Sequence, residues 1–120
     1  MVDIPRFPVR FDSEAFAEDL HHATAAGRAV GTRERGRLER EGVVATELFG
    51  CDPEPRDGTR LAGCVKTYLP QPDGGWGMVF SGDRDAHGGP ILVVVAFGVR
   101  HPVQAWQPSV YQVAHRRLNG

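Results

Sequence analysis

The chain has little cysteine, almost no lysine and no long apolar run. Its two cysteines, Cys51 and Cys64, form neither a CxxC pair nor a zinc-ligand spacing, which excludes a disulfide scaffold and a structural zinc site. They are expected as free thiols, partly buried. No stretch approaches the ~20 apolar residues of a membrane span. The opening MVDIPRFPVRF has no apolar signal-peptide core, so a cytoplasmic location without a membrane partner is expected. Repeats and low-complexity tracts are missing, and residues 1–120 are expected to form one domain. Gly74-Gly75 and Gly88-Gly89 are followed by no GKS or GKT, so they read as turn glycines rather than a phosphate loop. Adjacent His21 and His22 would point about 100° apart on a helix and do not converge on one ion. No metal and no cofactor is expected.

Charge of one sign is lacking too. The formal net charge is −1, which counts against a protein that coats nucleic acid through a strongly basic surface. A local basic site remains open. Lys66 is the only lysine among 14 basic residues, and a compact ammonium does not substitute for a planar guanidinium.

What is present is an ordered alternation of patterns. Phe7 to Phe11 suits a strand, confined by Pro5 and Pro8 to an edge or a bulged start. Asp12 or Ser13 caps a helix carried to about Ala26, with Phe16, Leu20 and Ala23 on one face and Gly27 at its end. Thr32 caps a second helix carried to about Phe49, solvated from Arg33 to Glu41 and packed through Leu38, Val44, Ala45, Leu48 and Phe49. Gly50 to Gly58 reads as a loop. Leu61 to Leu69 holds a strand with Val65, Thr67 and Leu69 on one face and Lys66 and Tyr68 on the other. Gln71 to Gly75 is a turn, Trp76 to Ser81 a strand, and Gly82 to Pro90 a polar, mobile loop. The uninterrupted run Ile91 to Phe97 predicts a strand buried on both faces. After a Pro-punctuated loop, Ser109 to Leu118 predicts a short helix. The order is β-α-α-β-β-β-α, an α+β domain with two helices packed on a mostly antiparallel four-stranded sheet.

The buried strand runs into Gly98-Val99-Arg100, and the helix reads Val110-Tyr111-Gln112-Val113-Ala114-His115-Arg116-Arg117-Leu118. Leu61-Ala62-Gly63 precedes the Lys66 strand. This ending and this leader resemble the RelE/ParE toxin superfamily of type II toxin–antitoxin systems. There the last strand delivers a glycine and an arginine, followed by a helix opening on Val-Tyr and closing on a basic pair and Leu. The coarse resemblance covers nearly the whole chain; its specific part is about thirty residues. One position departs from the pattern. Where the family often carries an aromatic–arginine pair on the middle strand, this chain has Trp76-Gly77, and the missing charge would come from elsewhere, with Arg84 as the candidate, or is not needed.

The resemblance implies cleavage of messenger RNA on the ribosome by a RelE-like toxin held in check by a cognate antitoxin. In that reaction the ribose 2′-hydroxyl attacks the adjacent phosphate. A base, a cation for the phosphorane and an acid for the leaving 5′-oxygen are needed, and no metal. Arg100 would be the phosphate cation, Lys66 a second cation, and Tyr111 the group that orients or deprotonates the nucleophile or stacks on a base.

Spacing alone adds His115, one helical turn from Tyr111, and His101, next to Arg100; imidazole passes protons near neutrality. Trp106, in a Pro-flanked loop, is a candidate RNA or partner contact, whereas Trp76 reads as core. Arg116 and Arg117 suit the helix C-terminus electrostatically, with RNA or antitoxin contact as their second reading. Two alternatives stand beside the ribonuclease: a ParE-like inhibitor of DNA gyrase, and a non-catalytic protein-binding domain that keeps the fold. A basic, concave patch on which Lys66, Arg100 and Tyr111 converge favours the ribonuclease; side chains pointing to different faces exclude it.

Overall fold

A computed structural model describes residues 4–51, 58–69 and 75–120. Pro8, which cannot donate to a ladder, divides the first extended segment in two. Strand β1 (Arg6–Phe7) pairs antiparallel with β3 (Val43–Val44). Strand β2 (Val9–Phe11) pairs parallel with β7 (Pro90–Val99) at the edge of a five-stranded sheet. The edge placement expected from the two prolines is what the sheet shows. The order across the sheet is β2-β7-β6-β5-β4, with β4 at Phe49–Gly50, β5 at Val65–Tyr68 and β6 at Trp76–Arg84. All pairings in this sheet except β2–β7 are antiparallel. The fold is α+β with a mostly antiparallel sheet as expected, but of five strands rather than four.

Helix α1 (Ser13–His21) is capped by Asp12, whose carboxylate accepts from the Glu14 and Ala15 amides. It stops at His22, short of Ala26. Thr24, not Thr32, caps α2 (Ala25–Glu41), its hydroxyl accepting from the Gly27 amide. The second helix also ends early. Gly42 takes φ +69°, and a Cβ there would lie 2.5 Å from the Phe7 carbonyl oxygen. The chain then turns into β3, a short 3₁₀ turn (Ala45–Glu47) and β4 instead of continuing as helix to Phe49. The Glu47 carboxylate accepts from the Val44 amide and pairs with Arg37, fixing that turn to α2.

Both helices cover one face of the sheet. Phe16, Val30, Leu38, Leu69, Met78, Phe80, Val94 and Phe97 form the core there. Helix α3 (Val110–Asn119) covers the other face, where Val110 and Ala114 pack with Leu61, Cys64, Val79 and Ala96. A bulge at Val79/Phe80 shifts the β6–β7 register, so Val95 and Ala96 both serve the α3 side. Burial pushes both thiols, Cys51 and Cys64, above the ordinary cysteine range, which makes them poor nucleophiles at neutral pH. Residues 82–90 are not a long loop. The ladder runs to Arg84↔Pro90, and Asp85 closes the turn by accepting from the His87 and Gly89 amides. Of the expected Gly50–Gly58 loop and Gln71–Gly75 turn, residues 52–57 and 71–74 lie outside the described residues.

Candidate functional site

Strand alternation sets the site up. Val65 and Thr67 point to the core under the helices, so Lys66 and Tyr68 point to the face that carries α3. Lys66 stands opposite Val79, and Tyr68 opposite Gly77. One residue past β7, the Arg100 amide donates to the Gly75 carbonyl at 2.9 Å and extends the ladder. The Arg100 side chain then crosses back over the sheet. Its Cγ and Cδ pass 3.1 and 3.3 Å from where a Cβ on Gly77 would sit. Its guanidinium carbon ends 3.7 Å from the centre of the Tyr68 ring.

Tyr111 arrives from the first turn of α3. Ser109 and Gln112 fix that turn with a reciprocal cap, each side chain accepting from the other's amide. Arg100 Nε donates to the Tyr111 hydroxyl at 3.4 Å. The Lys66 Nζ lies 5.0 Å from the Tyr111 ring centre and 5.5 Å from that of Tyr68. Lys66, Arg100 and Tyr111 thus meet on one face, and Tyr68 sits among them. Tyr68 was not singled out by sequence. The signal was there in its i, i+2 spacing from Lys66 on one strand.

Two cations on one face, each against a phenol ring, form a local basic site in a slightly acidic chain. The arginine fork suits two phosphate oxygens, and the ammonium adds a point charge beside it. Stacking on Tyr68 contributes about 1 kcal/mol to holding the guanidinium in place.

Gly77 shows why the middle strand carries no arginine. The space above it is taken by the Arg100 stem, and a Cβ would also lie 2.9 Å from the Thr67 carbonyl oxygen. Placing an arginine there, as the resemblance in sequence would suggest, with Gly77→Arg is therefore expected to destabilise the chain by about 1–3 kcal/mol and to push Arg100 off Tyr68. A thermal melt within about a degree of the parent would refute this.

The other candidates are placed elsewhere or are already engaged. Arg84 is exposed at the far hairpin, donating to the Gly88 carbonyl at 2.7 Å. It stands about 23 Å from Gly77 along β6, too far to supply the missing charge. The His115 Nδ1 accepts from the Arg60 amide at 2.8 Å. With Asn119, which donates to the Arg60 carbonyl at 3.0 Å, it ties the segment before β5 to α3. His101 is exposed beside Arg100.

Arg117 grips Asp19 with both arms of its fork, at 2.8 Å each, and donates to the Val95 carbonyl at 2.9 Å. Hydrogen bonding to Asp19 holds its guanidinium above the ordinary arginine range. Its role is structural. Trp106 is 80% exposed and, with Arg116, Trp76, Val99 and His22, lines a cleft of about 380 Å³ between α1 and α3. The His21 and His22 rings touch edge to face, and no group of three potential metal ligands is found among the described residues.

No family model, curated protein or solved structure matches the chain.

Proposed function

We propose that this chain is a RelE-like member of the RelE/ParE toxin superfamily: a metal-independent ribonuclease that cleaves ribosome-bound messenger RNA in the cytoplasm and is neutralised by a cognate antitoxin. The observation that carries the reading is the meeting of Lys66, Arg100 and Tyr111 on one sheet face. Three residues, from β5, the end of β7 and α3, converge there.

In this reading the ribose 2′-oxygen attacks the adjacent phosphorus and the bond to the 5′-oxygen breaks, leaving a 2′,3′-cyclic phosphate. Arg100 and Lys66 stabilise the charge that builds on the equatorial oxygens. The Tyr111 hydroxyl orients or deprotonates the 2′-hydroxyl. His115 takes no part, because its Nδ1 is committed to the Arg60 amide. The leaving 5′-oxygen draws its proton from His101 or from water.

Induced expression in a bacterial host without the antitoxin tests this. Growth arrest with ribosome-dependent messenger cleavage, lost in Arg100→Ala and Tyr111→Phe, supports it. Normal growth with intact messengers overturns it. Arrest with DNA damage and intact messengers transfers the chain to the gyrase-inhibiting branch.

A further inference from the structure

Beyond the phosphate site, the same face carries an exposed aromatic pair that the reaction does not use. Phe49 on β4 stands directly across the ladder from Lys66. Its ring stacks on Tyr68 with centres 5.0 Å apart and planes 17° from parallel. Helix α3 packs over β7 and β6. Phe49 and Tyr68 remain 49% and 37% exposed.

Two stacked aromatic rings in water are an unfavourable surface for a free monomer unless something covers them. The neighbours point to what that is. Phe49 is opposite an ammonium, and Tyr68 carries a guanidinium against its ring. Cations interleaved with exposed rings on an open sheet face are the chemistry of single-stranded nucleic acid, with phosphates on the charges and bases on the rings. An apolar protein partner would gain nothing from the two charges, which it would have to desolvate.

We propose that Phe49 is a stacking platform for a nucleobase of the single-stranded RNA whose phosphate is held by Lys66 and Arg100, with Tyr68 as the layer between platform and guanidinium. The inference rests on the ribonuclease reading and adds a base-binding subsite to it. Because a stacked base is sequence-tolerant, the subsite adds affinity and register along the strand rather than a strict sequence preference. Phe49 is the residue to probe, since Tyr68 also supports Arg100.

The test is fluorescence anisotropy of the full chain with labelled oligoadenylate RNA at fixed salt. A strand of the same ribose-phosphate backbone without bases is the second probe. Wild type, Phe49→Ala and Phe49→Tyr are compared after circular dichroism confirms their fold. Phe49→Ala should weaken oligoadenylate binding roughly five- to a hundredfold. Phe49→Tyr should keep it, and the base-free strand should bind all three proteins alike. Equal oligoadenylate affinity for wild type and Phe49→Ala overturns the platform. The phosphate site still stands in that case if Arg100→Ala weakens both strands. Failure of wild type to bind either strand overturns the platform and leaves the aromatic pair as a protein contact; the ribonuclease reading, which places cleavage on the ribosome, stands or falls on the growth and messenger assay.

Discussion

Arg117→Ala should lower the unfolding free energy by about 3 kcal/mol and the melting temperature by roughly 10 °C. The reason lies at the outer edge of β7. Strand β2 accompanies β7 only from Leu92 to Val94, so among the described residues the next backbone groups on that edge have no strand beside them. Asp19 and Arg117 take them instead. The Asp19 carboxylate accepts from the Phe97 amide at 2.9 Å, and Arg117 donates to the Val95 carbonyl. The acid is almost fully buried, its side chain 6% exposed against 20% for the arginine.

Removing the arginine strands a buried carboxylate and an edge carbonyl, and breaking such a pair costs about 3–5 kcal/mol. Partial exposure of Arg117 lets water recover some of this, hence the lower end. Arg116→Ala, on an exposed neighbour, should change stability by less than about 0.5 kcal/mol. Urea unfolding of the two variants beside wild type decides the matter. If the Arg117 and Arg116 variants unfold together, the clamp has no structural weight. Joint replacement of Asp19 and Arg117 by leucine and methionine should recover much of the loss, because neither buried charge is then left alone.

This clamp also shows where sequence reading stops. Arg117 in the last helical turn has an adequate local explanation in the helix dipole, and nothing local indicates an acid 98 residues away. Strands β2, β5, β6 and β7 were legible because alternation and an apolar run are local signals, and so were Asp12 as one of two cap candidates and the helix start at Ser109. The boundary between α1 and α2 was not. From Ala23 to Gly31 six of nine residues are alanine or glycine, with little apolar contrast, so glycine reads there as a stop.

In the fold those glycines are the contact face. A Cβ on Gly27 would lie 2.2 Å from the Trp76 ring, and one on Gly31 2.7 Å from Phe97. Close approach of a helix to two aromatic rings is tertiary information that hydrophobic periodicity does not carry. The same limit hid Phe49. Assigned to a helix, it could not be seen opposite Lys66 on a sheet. Lys66, Arg100 and Tyr111 were singled out by the resemblance, whose motif spans a strand, a strand end and the first turn of the last helix. Arg84 failed on register alone, since its pairing with Pro90 places it at the opposite end of β6 from Gly77.

Arg100→Ala should reduce messenger cleavage about a hundred- to a thousandfold while shifting stability by only about 1 kcal/mol. The two numbers separate because the side chain has two roles. Its stem and guanidinium lie on Gly77 and Tyr68, a surface stack whose loss is modest. In the proposed reaction its charge would face the phosphate and stabilise the phosphorane. Arg100→Lys should recover only part of the rate, because an ammonium keeps the charge but neither the planar contact with Tyr68 nor the two-pronged fit to phosphate. In RNA binding, loss of this one phosphate contact should reduce the slope of log affinity against log salt by about 1. Cleavage by Arg100→Ala at the wild-type rate would remove Arg100 from the chemistry. An unchanged salt slope would remove it from phosphate contact altogether, leaving its contacts with Tyr68 and Tyr111 as a structural role.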